Sequence, residues 1–372
     1  MSFQLRLIFA FLMPLALLFG FLHLFLPGSH HNFERLHVFL FNLCSGGTII
    51  LYYTEGVKRL TVKTCSFLAL ALAFAVTAFL EVYKASIVIA FVLSIIVESI
   101  RIKEFSVFPI GFFQIKEPIY RKFHQASLLC LSIGLILSSL VTINNNFYQI
   151  VNFPKLNLDT FFLGFSFPVS LITMSVIFSM INEQKTKSVR NYKEIGFWVV
   201  NLGVIIFFCF IIFNVLIPQV VVTLMLFAAV IMILFLFYRF SKRMQQKSFL
   251  ISGLVFLLAS AITGIAYIIL EIPDIIDYSL QARVLRLHAF FSLYGWNLCG
   301  LTVICRFYDF PIQLHSKTII TVHWITIVTA GTLGDYYPSM ALLSVAGYIV
   351  ILYLIFFSKG VGSYPKPVMA DN

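Results

Sequence analysis

The sequence predicts an all-α, polytopic membrane protein with about twelve transmembrane helices and both termini cytoplasmic. Three observations predict it. Of the 372 residues, 60% are hydrophobic and 11% charged, and mean hydropathy is +0.97. A soluble domain carries roughly 25% charged and 45–50% apolar residues. Apolar windows of the roughly 20 residues that a spanning helix needs recur along the whole chain. The basic residues fall almost entirely between alternate windows. This composition excludes a water-soluble enzyme, a disordered chain, a disulfide-rich secreted domain and a nucleic-acid binder.

The windows lie near 6–26, 36–54, 64–82, 85–100, 123–143, 160–181, 195–217, 219–239, 248–270, 286–305, 318–334 and 339–358. The first is too long in its apolar stretch for a cleavable signal peptide, and no Ala-x-Ala-like site follows it. The fourth and eleventh are short, so eleven is the alternative count. With the N-terminus inside, 21 of the 26 basic residues fall on the inner side, and Arg35, Lys84, Lys155, Arg283 and Arg286 are the five outside. That bias respects every alternation, and losing one span would reverse half of it. The +11 net charge therefore reports orientation rather than an anionic partner.

No soluble domain is attached, and residues 1–372 form one transmembrane domain. The longest gap, 101–122, carries Phe105, Phe108, Phe112 and Phe113 among charges. It reads equally well as a segment lying in the inner interface or as a plain loop. Any function sits among the helices or at their mouths.

Ionisable residues deep in a membrane are expensive and mark function by default. Here Glu55, Glu81 and Glu98 lie at helix ends, and no Lys, Arg or Asp falls in mid-span. This argues against proton pumps and ion-coupled carriers. The six cysteines include no C-x-x-C and no C-x-x-C-H, so zinc ribbons, dithiol redox motifs and covalent c-type haem drop out.

Eight histidines remain. His124 and His315 fall at inner helix ends, where a solvated or interfacial position is the simplest reading, and His323 lies about two turns into the eleventh window. His23, His30, His31, His37 and His288 lie toward the outer face. Two of these share a phrase: Arg35-Leu36-His37-Val38-Phe39 and Arg286-Leu287-His288-Ala289-Phe290. Each phrase opens a span running from outside to inside, so the two imidazoles have matching depth. Below them come Cys44 and Ser45 on one helix and Ser292 and Gly295 on the other, small residues at the spacing that would let a flat macrocycle lie between two helices. Neutral imidazole is a standard axial haem ligand, and the arginines Arg35, Arg286 and Arg283 suit haem propionates. The ordinary alternative is that each histidine caps or hydrogen-bonds near the interface.

Twelve helices, inner termini, and histidines at the outer ends of helices two and ten resemble the haem–copper oxidase subunit I superfamily. The resemblance implies that His37 and His288 are the two axial ligands of a low-spin haem b. The departures are informative. Arg286 stands where the family's tenth helix carries the first His of His-x-His. No histidine lies between His124 and His288, where three copper ligands are needed, and Gly164-Phe165-Ser166-Phe167-Pro168 is similar to the Gly-His-Pro neighbourhood without its ligand. Copper is not expected, since Phe, Ser and Leu do not coordinate it. The loop Gly334-Asp335-Tyr336-Tyr337-Pro338 lacks the paired arginines. The chain also resembles NnrS-type membrane haem proteins through Leu158-Asp159-Thr160-Phe161-Phe162-Leu163-Gly164 followed by Met174-Ser175, with Asp159 in the place of a histidine.

These resemblances imply an inner-membrane, multi-pass b-type haem protein for electron transfer or redox sensing, without an oxygen-reducing binuclear centre. It is expected to act as a carrier or accessory protein rather than a terminal oxidase, with membrane redox subunits or an outer-side cytochrome as partners. A transporter for a neutral or lipidic solute and a cofactor-free structural subunit are the alternatives.

Overall fold

The computed structural model describes residues 1–26, 30–56, 60–153, 155–156, 162–182, 187–272, 277–360 and 362. Among the described residues there is no strand, only one isolated bridge between Ile181 and Ser241. Eleven helices among the described residues are long and apolar enough to cross a membrane: α1 (Phe3–Leu24), α2 (Phe33–Glu55), α3 (Val62–Phe79), α4 (Tyr83–Glu104), α5 (Ile119–Tyr148), α6 (Leu163–Met180), α7 (Ser188–Ile212), α8 (Leu216–Phe240), α9 (Lys247–Ile269), α10 (Tyr278–Cys305) and α12 (Pro338–Phe357). The chain is a multi-pass helical membrane protein. The remaining expected span is helical too, as α11, in three abutting pieces (Lys317–Trp324, Ile325–Gly331 and Thr332–Gly334). Its five threonines, Lys317 and His323 keep it less apolar than its neighbours.

Two expectations change. The short fourth window becomes a full 22-residue helix, Tyr83–Glu104. The tenth begins two turns before the expected 286, at Tyr278, because Asp277 caps it by accepting from the Ser279 and Leu280 backbone amides. Residues 278–285, expected in an outer gap, are therefore a helical wall. Asp159 and Thr160 lie outside the described residues.

Burial sorts the helices into layers. In α2, α6 and α10, 83%, 83% and 72% of the apolar window is buried, against 22–56% in the other eight spans. All three central helices carry a stretch of π-helix, Phe39–Gly47, Phe162–Ser166 and Phe291–Asn297, as do α5 at Asn144–Tyr148 and α11 at Ile325–Gly331. Such stretches are rare and gather at functional sites. Glycines let these helices touch, as small residues do where lipid supplies no hydrophobic drive. A Cβ on Gly300 of α10 would fall 1.8 Å from Thr173 Oγ1 of α6, and one on Gly46 of α2 would fall 2.6 Å from Val169 of α6. Gly134 of α5 meets Gly164 of α6 backbone to backbone.

The bundle's basic end is tied by ion pairs. Lys122 bonds Glu194 at 2.5 Å and Arg101 bonds Glu98 at 2.6 Å. Arg306 donates to the carbonyls of Ile355 and Ser358, and Arg6 to that of Phe356, so two arginines cap the end of α12. His124 is not free in solvent here: its Nε2 bonds the Thr54 hydroxyl at 2.8 Å and its ring lies against Tyr53 and Phe105. The opposite, sparsely charged end opens into a cavity.

Candidate functional site

The cavity has a volume of about 510 Å³ and lies between α1, α2, α10 and α11. That is within the usual range for a small-molecule pocket. Leu17 and Phe21 form one side and Leu280, Leu287 and Phe290 another, with Gly20 and Gly331 between the bulkier walls. Its polar groups are His23, Glu34, Arg35, His37, Arg283, Arg286 and Asp335. The arrangement is an apolar chamber whose charged groups come from the helix ends and carry more guanidinium than carboxylate.

Each of these side chains is positioned locally. Asn32 caps α2 by accepting from the Arg35 amide at 2.8 Å, which fixes the turn that carries Arg35 and His37. One turn further, His37 packs onto Gly20 of α1. A Cβ there would approach its Nδ1 to 2.8 Å, so only glycine lets the ring sit where it does. The same Nδ1 is hydrogen-bonded to the Tyr294 hydroxyl of α10 at 2.7 Å, which turns Nε2 away from that partner. Tyr294 is fully buried, and its ring also meets Phe41, Phe290 and Tyr348.

The arginines are held differently from one another. Arg286 pairs with Asp335: Nη2 donates to Oδ2 at 2.9 Å, and Nε lies 2.8 Å from Oδ1. Arg283 lies over the Tyr336 ring at 5.6 Å and bonds Ser279. Asp335 and Tyr336, from the turn after α11, thus close one side of the mouth. The carboxyl of Asp277, which caps this end of α10, is held below the usual carboxylate range by the Leu280 amide and the Ser279 hydroxyl.

Of the four residues singled out in the sequence, Arg35, His37 and Arg286 line this one cavity and His288 does not. His288 is turned to α9, where Nδ1–H donates to the Ser260 carbonyl at 2.8 Å and the ring lies beside Gly264. The α10 neighbours of His288, Leu287 and Phe290, line the chamber instead, Phe290 against Gly331 of α11. Gly295, expected beneath a macrocycle, instead faces Phe256 of α9, seven residues below His288 on the same side. The i, i+7 spacing of His288 and Gly295 therefore holds, and what differs is that their common face turns to α9 rather than to the cavity.

Two further residues stand out, neither of them marked as a site by the sequence pattern. Tyr294 joins α10 to His37. His323 of α11 is fully buried, donates from Nε2 to the Tyr294 carbonyl at 2.8 Å, and lies against Phe249 and Phe256. A polar aromatic in mid-span needs a partner, and that was the available signal for both. Among the described residues no group of three or more metal-ligating side chains comes together. Neither a family model, nor a curated protein, nor a solved structure matches the chain.

Proposed function

We propose that this protein is a b-type haem protein of the inner membrane and that the cavity, at the outer ends of α2 and α10, holds the haem. The observation that carries the reading is one imidazole, His37, on the wall of an apolar chamber whose polar groups include three arginines. The donor set fits the group. Tyr294 holds the His37 ring at Nδ1, the kind of second-group contact usual for a ligating histidine, and the Ala16 backbone is a further hydrogen-bond partner of the ring. Leu17, Phe21, Leu287 and Phe290 supply apolar faces for a macrocycle, and Arg35, Arg283 and Arg286 supply partners for two carboxylates. Haem would contribute one-electron chemistry there.

In this reading His37 would hold the group through its imidazole. Gly20 and Tyr294 fix its ring, and the apolar walls exclude water. His288, bonded to the Ser260 carbonyl, serves as a bridge between α9 and α10 and leaves the ligand set that the repeated phrase suggested. Electron transfer or redox sensing follows from the class of group bound, and the position at the outer mouth favours an outer-side redox partner. The experiment is optical: protein purified in detergent from cells with adequate haem supply shows a Soret band and a reduced α-band. A colourless preparation overturns the reading.

A further inference from the structure

Two hydroxyls on α12 have no visible purpose in the packing. Ser344 and Tyr348 are both completely buried, and neither hydroxyl oxygen has a hydrogen-bond partner among the described residues. They are four residues apart and share one helix face. That face runs directly behind the cavity. One turn above Ser344, Ala341 packs at Gly334, where Phe21 of the cavity wall also lies. One turn below, the Tyr348 ring meets the Tyr294 ring edge-on at 5.1 Å, and the Tyr294 hydroxyl is bonded to His37. Asn42, on the π-segment of α2 next to Phe41, is a third such group, with both amide atoms unpartnered and the residue fully buried.

An unpaired polar group in the hydrocarbon layer is strongly disfavoured, and buried polar atoms without protein partners are ordinarily satisfied by ordered water. The groups here are neutral and act as both donors and acceptors. They therefore call for a small neutral molecule that also does both. We propose that Ser344 and Tyr348 hold an internal water cluster behind the cavity, hydrogen-bonded onward through Tyr294 to His37.

The test uses the full-length protein in detergent or nanodiscs. Radiolytic hydroxyl labelling in ¹⁸O-water, read by mass spectrometry, should mark Tyr348 and Tyr294 several-fold above Trp296, which is equally buried but bonded to Ser170. Ser344→Ala and Tyr348→Phe supply the second measurement. If water is bound, each substitution strips a partner from it and lowers the Tm. If the hydroxyls are simply unpaired, deleting them removes a penalty and raises the Tm. Labelling no greater than at Trp296, or a Tm increase in both variants, overturns the proposal.

Discussion

His37 of α2 and Tyr294 of α10 are joined by a 2.7 Å hydrogen bond at the wall of the cavity, and this bond ties together two of the three central helices. The ring of His37 is held from the other side by Gly20. Tyr294→Phe keeps the ring packing and removes only the hydroxyl, leaving a buried imidazole nitrogen short of a partner. The expected loss is about 1–3 kcal/mol, read as a drop in detergent Tm. Gly20→Ala should displace the His37 ring and reproduce that loss with Tyr294 intact.

The contact of Gly300 with Thr173 makes a sharper prediction about the core of the bundle. With a Cβ 1.8 Å from Thr173 Oγ1, Gly300→Ala must move either α6 or α10. Overpacking of this kind typically costs about 1–3 kcal/mol, and the expected readout is reduced folded yield and Tm. Adding Thr173→Gly should restore part of both. Gly56→Ala, by contrast, meets no neighbour and should show only the backbone strain of a φ of +62°.

Arg286 and Asp335 connect α10 to the turn after α11. Arg286 is 40% exposed, so solvent screens the pair, and a double-mutant cycle should return about 0.5–1 kcal/mol of coupling. Raising the salt concentration should shrink it. Because the pair lines the cavity mouth, Asp335→Asn should leave Arg286 freer and strengthen the binding of an amphiphilic anion.

Asp277 provides a pH dependence at the start of α10. Its carboxyl is held below its ordinary range by the Leu280 and Ser279 hydrogen bonds. A depressed folded-state pKa means stabilisation that is full above the unfolded value, near 3.9, and is lost as pH falls through the folded one. Hydrogen exchange at 279–283, corrected for intrinsic rates, should rise as pH falls through that interval. Asp277→Asn retains a capping oxygen and should flatten the dependence.

How far the sequence discloses this protein depends on the kind of order asked about. Length and hydropathy locate spans because lipid demands about 20 apolar residues wherever a helix crosses. They missed the start of α10, since 278–285 mixes Tyr, Gln and Arg with leucines and its helicity comes from the Asp277 cap and from packing. The repeated Arg-Leu-His phrase picked out Arg35, His37 and Arg286, which line one cavity, but it carried no information about rotation. His37 faces the cavity, whereas His288 faces α9. Gly295 keeps to the face of His288 and with it turns to α9, so the small residues meant to lie beneath a macrocycle leave the cavity together with that histidine. Tyr294 was missed because a single aromatic in a chain with 16 tyrosines gives no periodic signal.

The most direct measurement is the Soret absorbance per protein of the wild type, His37→Ala and His288→Ala, purified side by side with haem supplied. The account predicts that His37→Ala loses the band while His288→Ala keeps it, with only a stability decrease from losing the bond to Ser260. Loss in both variants would restore a shared two-histidine site and contradict the assignment of His288. Retention in His37→Ala would contradict the central claim.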